Sequence, residues 1–270
     1  MARVRELYVY PFKSARAIPR ARLRLAATGF EWDRYWMAAS PDGVFMSQRT
    51  HPRLALIEPE ILADVLTLRA PNLGPLTLPL QPQGEAKTAR VWKDSITALD
   101  QGDTASSWLS EVLGSTARLL RVAPVFDRLA SPHYAGTNPP PVSFPDGFPI
   151  LVANLASLEH LNSLMPEPVP MERFRPNVVI EGLAPFEEDR IAALHIGSVT
   201  LKLVKPCTRC VITSTDQRTG EPSTNPLPVL RQFRFDRALM GVTFCENAIV
   251  ASGVGETIEQ GAPCTVVYDS

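Results

Sequence analysis

The residues best suited to chemistry are Cys207 and Cys210, within Lys205-Pro206-Cys207-Thr208-Arg209-Cys210. Thiolates bind metals and attack electrophiles, and the cations Lys205 and Arg209 beside the pair favour that charged form. A Cys-x-x-Cys supplies only half of a tetrahedral zinc site; no second pair or His-x3-His accompanies it, and His195 stands alone upstream. A thioredoxin-like redox pair would open a helix, whereas Val211-Ile212-Thr213 reads as a strand. The plain alternative is two buried, inert thiols, since free cysteine is among the most buried residue types. A cationic surround is a poor design for packing alone. The four cysteines (Cys207, Cys210, Cys245, Cys264) all lie in the last quarter of the chain, and a reduced state is expected.

Other candidates are weaker one by one. Lys13, Arg34, Arg49, Arg175 and Arg209 would each, taken singly, read as a surface or structural charge. Asp216 has two readings: a side chain that holds a turn by bonding local backbone amides, or a proton relay beside the thiols. Asp146-Gly147 has two readings: a turn before the strand-like Ile150-Leu151-Val152, or a loop feeding a ligand pocket. His51, His133, His160 and His195 show no partner residue and receive no catalytic role.

These side chains need a scaffold, and the sequence describes a mainly β one with a few helices (α+β). The chain has 270 residues, 45% hydrophobic and 20% charged, enough for one large domain or two intimately packed ones. Twenty-six prolines interrupt long helices. Short alternating or β-branched runs predict strands at Val4 to Tyr10, Arg22 to Leu25, Tyr35 to Ser40, Leu54 to Glu60, Val65 to Ala70, Val178 to Glu181, Val199 to Lys205, Val211 to Ser214 and Cys264 to Tyr268. Turn signals between them suit barrels. Helices are predicted at Thr104 to Leu113, ended by Gly114, and at Ala156 to Leu164, capped by Asn154 or Ser157. Ser131 to Pro149, with its Asn138-Pro139-Pro140-Pro141, reads as a long loop lying over a cleft.

A net charge of -1 gives no global sign of nucleic acid or an anionic membrane as partner, so any anion must be met by local clusters. The N-terminus runs directly into a strand-like pattern without a signal-peptide or membrane-spanning stretch, and a cytoplasmic location is the expectation.

The residues resemble those of the MOSC superfamily, named for the C-terminal domain of molybdenum-cofactor sulfurase. Arg173-Phe174-Arg175-Pro176-Asn177, then Pro185-Phe186-Glu187-Glu188-Asp189, Ile196-Gly197, the cysteine loop and Thr215-Asp216 follow that family's order. The first half resembles the β-barrel domain that precedes MOSC in the mitochondrial amidoxime-reducing component and in bacterial YcbX-type proteins. Tyr10-Pro11-Phe12-Lys13-Ser14, Asp33-Arg34-Tyr35-Trp36, Ser47-Gln48-Arg49 and Ser143-Phe144-Pro145-Asp146-Gly147 carry that likeness. Two departures stand out: Asp216-Gln217-Arg218 replaces the frequent Asp-Pro-Asp or Asp-Pro-Glu, and Met240-Gly241 replaces a common Phe-Gly.

The resemblance implies an N-terminal β-barrel-like domain at residues 1–122 packed on a MOSC β-barrel domain at 123–270. It implies molybdenum cofactor, with Cys210 as the metal's protein ligand. Lys13, Ser14, Arg34, Arg49, Arg175, Asn177, Cys207, Thr208 and Arg209 are then expected around the pterin and its phosphate, with Cys210 and Asp216 as catalytic candidates. An anionic phosphate suits Lys, Arg, hydroxyls and amides. The implied reaction is reduction of N-hydroxylated compounds, independent of pyridoxal phosphate. No ferredoxin-like cysteine cluster follows the cysteine loop, so electrons are expected from a separate flavin, iron–sulfur or cytochrome donor. The alternatives are a sulfur carrier or a protein that binds and hands over the cofactor, using the same thiols.

Overall fold

A computed structural model describes residues 1–269, and it is mainly β with a few short helices, as the sequence predicts. Among the described residues the largest sheet has nine strands. Its path runs Thr265–Tyr268, Ile191–Ile196, Val199–Thr208, Gly241–Ser252, Ile150–Asn154, Val178–Glu181, Arg3–Val9 and Ile18–Pro19, with Phe235–Asp236 beside Gly241–Ser252. A four-stranded sheet orders Trp36–Ala39, Arg118–Val122, Asp94–Asp100 and Glu85–Val91. The apolar alternation dictates this pairing: in Val199–Thr208, Val199, Leu201 and Leu203 point inward while Lys202 points out.

Two main cores follow. One gathers Phe12, Trp36, Met37, Leu54, Val91, Leu109 and Leu119 under the four-stranded sheet. The other gathers Val4, Leu7, Phe30, Val152, Ile180, Leu194 and Leu201. Apart from Phe12 and Ala15, the apolar core residues up to Phe30 therefore pack with the C-terminal half, and Arg22–Ala26 pairs with Thr257–Glu259. The expected boundary after Val122 separates two stretches of sequence, while the strand pairing crosses it.

Three strands explain where the candidate residues meet. Arg3–Val9 runs antiparallel to Val178–Glu181 with Leu7 opposite Val178, and Ile150–Asn154 runs parallel to Val178–Glu181 with Val152 opposite Val178. The end of the first strand and the starts of the other two thus share one edge. Tyr10–Ser14, Arg175–Asn177 and Pro145–Phe148 all emerge there. Helix Leu155–Ser163 makes the crossover between the parallel strands, and Asn154 caps it by accepting from the Ala156 amide at 3.2 Å. Ser157 takes no part in capping; its hydroxyl serves Glu188.

The other predicted helix spans Gly102–Leu113, buries Ala105, Leu109, Val112 and Leu113, and ends at Gly114 with a left-handed φ of 68°. Two predicted strands are corrected. Leu54 to Glu60 begins as the 3-10 turn Pro52–Leu56, because Pro52 presets helical φ at its start, and strand Glu58–Leu62 follows. Val211–Ser214 is also a 3-10 turn, with Cys210 at its N-cap. The pair therefore does sit between a strand and a turn of helix, and the contrast drawn with redox pairs on that ground fails. Within Ser131 to Pro149 the only regular element among the described residues is the short helix Pro132–Ala135.

Candidate functional site

The strand Val199–Thr208 delivers the cysteines through irregular pairing. Its register against Gly241–Ser252 shifts three times, at Thr200/Leu201, Leu203/Lys205 and Pro206/Thr208. Such bulges re-aim side chains at the rims of sheets. Pro206 fits because the neighbouring strand Ile191–Ile196 pairs only as far as Lys202, so one side of Pro206 lacks a partner that would need its N–H. Lys205 and Leu151 both lie opposite Asn247, which brings the cysteine loop to the edge where the N-terminal segments emerge.

There the chain forms an open cleft of about 820 Å³, its mouth included. Lys13, Ser14, Arg34, Arg49, Arg175, Asn177, Cys207, Thr208, Arg209 and Cys210 all line it, from both halves of the sequence. Five of the lining residues are Lys or Arg and one, Asp146, is acidic. None is a histidine.

Each cation is held by protein groups that leave part of it facing the cleft. The Arg34 amide donates to Tyr10 O at 2.7 Å, while Lys13 N donates to Trp36 O at 2.7 Å. This short ladder aligns residues 10–13 with 34–36. The guanidinium of Arg34 stacks 4.3 Å from the Tyr10 ring centroid and that of Arg175 lies 4.4 Å from the same centroid. Arg34 donates to Asp33 and to Asn177 Oδ1, and Nη1 of Arg175 donates to Ala15 O at 2.7 Å. Burial pulls the Arg175 guanidinium down to about 10. Burial likewise lowers Lys13, whose Nζ donates to Phe144 O at 2.8 Å and to Asp146.

Of the two sequence readings of Asp146, a turn or a loop feeding the pocket, the second matches its place in the cleft lining. In the fold it faces both Lys13 and Arg49, the latter at 3.7 Å. Partial burial would raise its carboxyl, but those cations hold it well below the usual carboxylate range. The loop bearing it is anchored by Arg128, which donates to Ser143 O, Pro145 O and Asp146 O and pairs with Asp94 at 2.9 Å. Nothing in the spacing of Arg128 announces this. Ser47, Phe148, Leu151, Phe174, Ile212 and Asn247 also line the cleft without having been singled out.

Three of the ten non-glycine residues with positive φ among the described residues line the cleft. Ser14, Arg34 and Arg175 adopt left-handed φ values of 69°, 53° and 58°. Residues other than glycine do so at a cost that the surrounding structure must hold in place.

Two expectations change. Asn177 lines the cleft, yet its amide is fully used: Oδ1 accepts from Arg34 and from Leu151 N, and Nδ2 donates to Asp33 and Tyr8 O. It positions Arg34 rather than offering free donors to a ligand. Asp216 does not line the cleft. Its Oδ1 accepts from the Arg218 and Thr219 amides at 2.7 and 3.1 Å, and Oδ2 accepts from Arg173 at 3.2 Å. The turn reading describes its place, because these bonds satisfy the carboxylate where it stands.

The cysteines differ. Arg209 Nη1 donates to Cys207 Sγ at 2.9 Å and its Nη2 donates to Phe174 O at 2.8 Å. Burial would lower the Arg209 guanidinium, but the thiols of Cys207, Cys245 and Cys210 around it hold it raised. Its Nε is buried without a partner. Cys210 is half-buried, and among the described residues its sulfur has no hydrogen-bond partner.

These features suit an anionic group that brings most of its own metal ligands. Among the described residues no three His, Cys, Asp or Glu converge to hold a metal. A metal here would take one soft thiolate from the protein. The excess of cations and the orphaned Arg209 Nε match an anion, and among the described residues no helix is long and apolar enough to cross a membrane.

Comparison with known proteins agrees with this layout. The family model described as MOSC N-terminal beta barrel domain matches residues 1–116, and that of the MOSC domain matches residues 139–265. The chain is 34% identical over 241 residues to mitochondrial amidoxime reducing component 2 of Homo sapiens, covering 86% of this chain and 72% of that protein. It is 33% identical over 252 residues to mitochondrial amidoxime-reducing component 1 of Mus musculus, covering 88% and 74%. It is 30% identical over 256 residues to molybdenum cofactor sulfurase of Danio rerio, covering 87% of this chain and 31% of that protein. With a strained, cationic, thiol-bearing cleft set where its two matched regions meet, the chain belongs to the MOSC family in the form that carries the N-terminal beta barrel domain.

Proposed function

We propose that this protein is a molybdenum-cofactor oxidoreductase that reduces N-hydroxylated compounds (hydroxylamines, amidoximes, N-hydroxylated bases) with electrons from a separate donor protein. The observation that carries the reading is the convergence of Cys210, its sulfur without a protein partner, with five cations and a single carboxylate in one open cleft. The names of the relatives, amidoxime reducing components among them, support it.

When bound, the cofactor would supply two-electron chemistry coupled to oxygen-atom transfer. The chain's own part is to hold and orient. Cys210 Sγ would be the protein ligand. Lys13, Arg34, Arg49, Arg175 and Arg209, with the hydroxyls of Ser14 and Thr208, would meet the phosphate and pterin. Asn177 and Tyr10 fix the arginines, and Arg128 fixes the loop that closes one wall. Asp146, held ionised, positions Lys13 and Arg49 and has no proton to give near neutrality. The net reduction takes two electrons and two protons and releases amine or amidine with water, and the open mouth gives solvent access for those protons.

A second reading rests on the Arg209 to Cys207 contact, in which a cation donates to the sulfur and which would suit a persulfide on Cys207. A reduced-dye assay on protein purified from cofactor-producing cells separates the two. Turnover of benzamidoxime above the free-cofactor background is expected; a persulfide on Cys207 with no turnover would favour the sulfur carrier.

A further inference from the structure

The N-terminal half holds a second depression, of about 600 Å³ with its open side included. It lies where Leu80-Gln81-Pro82 and Val122-Ala123-Pro124 leave the first core. Trp32, Tyr35 and Phe126 form an aromatic wall; Tyr35 meets Trp32 edge-on at 5.4 Å and Phe126 at 5.8 Å between ring centroids. Of the residues around it, Arg121 alone is charged.

Arg121 is unusual. Four Lys or Arg residues are buried among the described residues: Lys13, Arg121, Arg128 and Arg173. Three of them meet a carboxylate, Lys13 at Asp146, Arg128 at Asp94 and Arg173 at Asp216. Arg121, 4% exposed, does not; burial lowers its guanidinium, and only the Tyr35 phenol, no carboxylate, opposes that. Its guanidinium lies 5.4 Å from the Trp36 ring centroid. Nη1 donates to Val122 O at 3.1 Å, Nη2 donates to Leu80 O at 2.8 Å, and Nε is buried without a partner. A guanidinium carries five N–H groups, so hydrogens on Nη remain for an acceptor in the depression.

A buried charge without a counter-ion is costly, and an anion from solution would supply what the chain omits. The walls select its shape. Aromatic edges and faces favour a flat ring, and one guanidinium balances one negative charge, whereas a dianion would lose hydration against apolar walls without compensation. We propose that this depression binds a planar aromatic monoanion, a ring carboxylate, with Arg121 as its charge partner. The proposal is independent of the reading of the cationic cleft.

The test uses the full chain, benzoate as probe and benzamide as its neutral counterpart, with calorimetry for affinity and tryptophan fluorescence reporting on Trp32. Saturable benzoate binding is expected. It should weaken about tenfold or more in Arg121→Gln, which removes a charge-assisted bond, and in Gln81→Glu, which sets a like charge on the rim. Gln81 is exposed, so Gln81→Glu carries the test if Arg121→Gln does not fold. No saturable binding, equal affinity for benzamide, or binding unchanged in a folded variant overturns the proposal. So does binding lost in Arg49→Ala but kept in Gln81→Glu, which places the anion in the cationic cleft.

Discussion

Arg209 Nη1 donates to Cys207 Sγ at 2.9 Å, and this contact makes the two cysteines chemically unequal: one sulfur is engaged by a half-buried guanidinium, while Cys210 Sγ has no protein donor among the described residues. The same guanidinium ties the cysteine loop to Phe174 O, next to Arg175. Arg209 therefore links the thiols to the cationic wall.

A lysine cannot make both contacts, because its ammonium is a point donor on a flexible stem and lacks the guanidinium fork. Arg209→Lys should lower cofactor content about fivefold to tenfold, the loss expected of one charge-assisted bond. Pterin released from purified protein and quantified by fluorescence measures this. Unchanged content would show that Arg209 has no part in holding the group.

Asp146→Asn should destabilise the fold and remove part of its acid sensitivity. Lys13 is 6% exposed and would lose its carboxylate partner, at a cost of about 1–3 kcal/mol after allowance for the exposed side of Asp146. The carboxyl is depressed in the folded state, so its stabilisation is present above the ordinary value of 3.8 and lost as pH falls through the folded value. Urea melts at neutral and acid pH should show the native chain losing stability more steeply toward acid than the variant.

Arg128→Met should loosen the wall without touching the cleft's charges. Three loop carbonyls and Asp94 lose their donor, which costs about 2 kcal/mol or more. A lower urea midpoint, together with faster amide exchange across residues 143–147, is the expected result. Exchange rates equal to those of the native chain would contradict the anchoring.

Glu246 gives a pH effect of opposite sign. It is buried beside Glu188, Asp189 and Asp269, with Arg234 as the facing cation, and burial followed by those carboxylates pushes it up to about 9. Its folded-state value is raised, so the stabilisation is complete below the ordinary 4.5 and is lost as pH rises toward 9. Glu246→Gln keeps the neutral shape and should flatten that decline, ending more stable than the native chain by about 1 kcal/mol or more at alkaline pH. Melting temperatures across that range test it, and parallel curves would contradict it.

Much of the cleft was legible because chemistry and spacing are local properties. The thiols with Arg209 form one short motif, and Lys13-Ser14, Arg34 and Arg175 sit in segments whose resemblance is also local. Alternation revealed the long strands because a sheet with one face buried imposes it. What escaped depends on distance in the fold. Asp146 matters through Lys13, 133 positions away, and Asn177 is saturated by Asp33 and Tyr8 from the opposite end of the chain. Val211-Ile212-Thr213 has a strand's composition, yet after Cys210 no ladder partner remains and the backbone closes on itself as a 3-10 turn. Likewise Arg22–Ala26 finds its partner in Thr257–Glu259, a pairing that no local pattern encodes.

The central claim is that Cys210 is the protein's ligand to molybdenum. The direct measurement is molybdenum per chain, by elemental mass spectrometry, for the native protein, Cys210→Ser and Cys207→Ser purified from cells that make the cofactor. The account predicts metal in the native protein, near-complete loss in Cys210→Ser and retention of most of it in Cys207→Ser. Native protein without molybdenum, or equal retention in both variants, would contradict it.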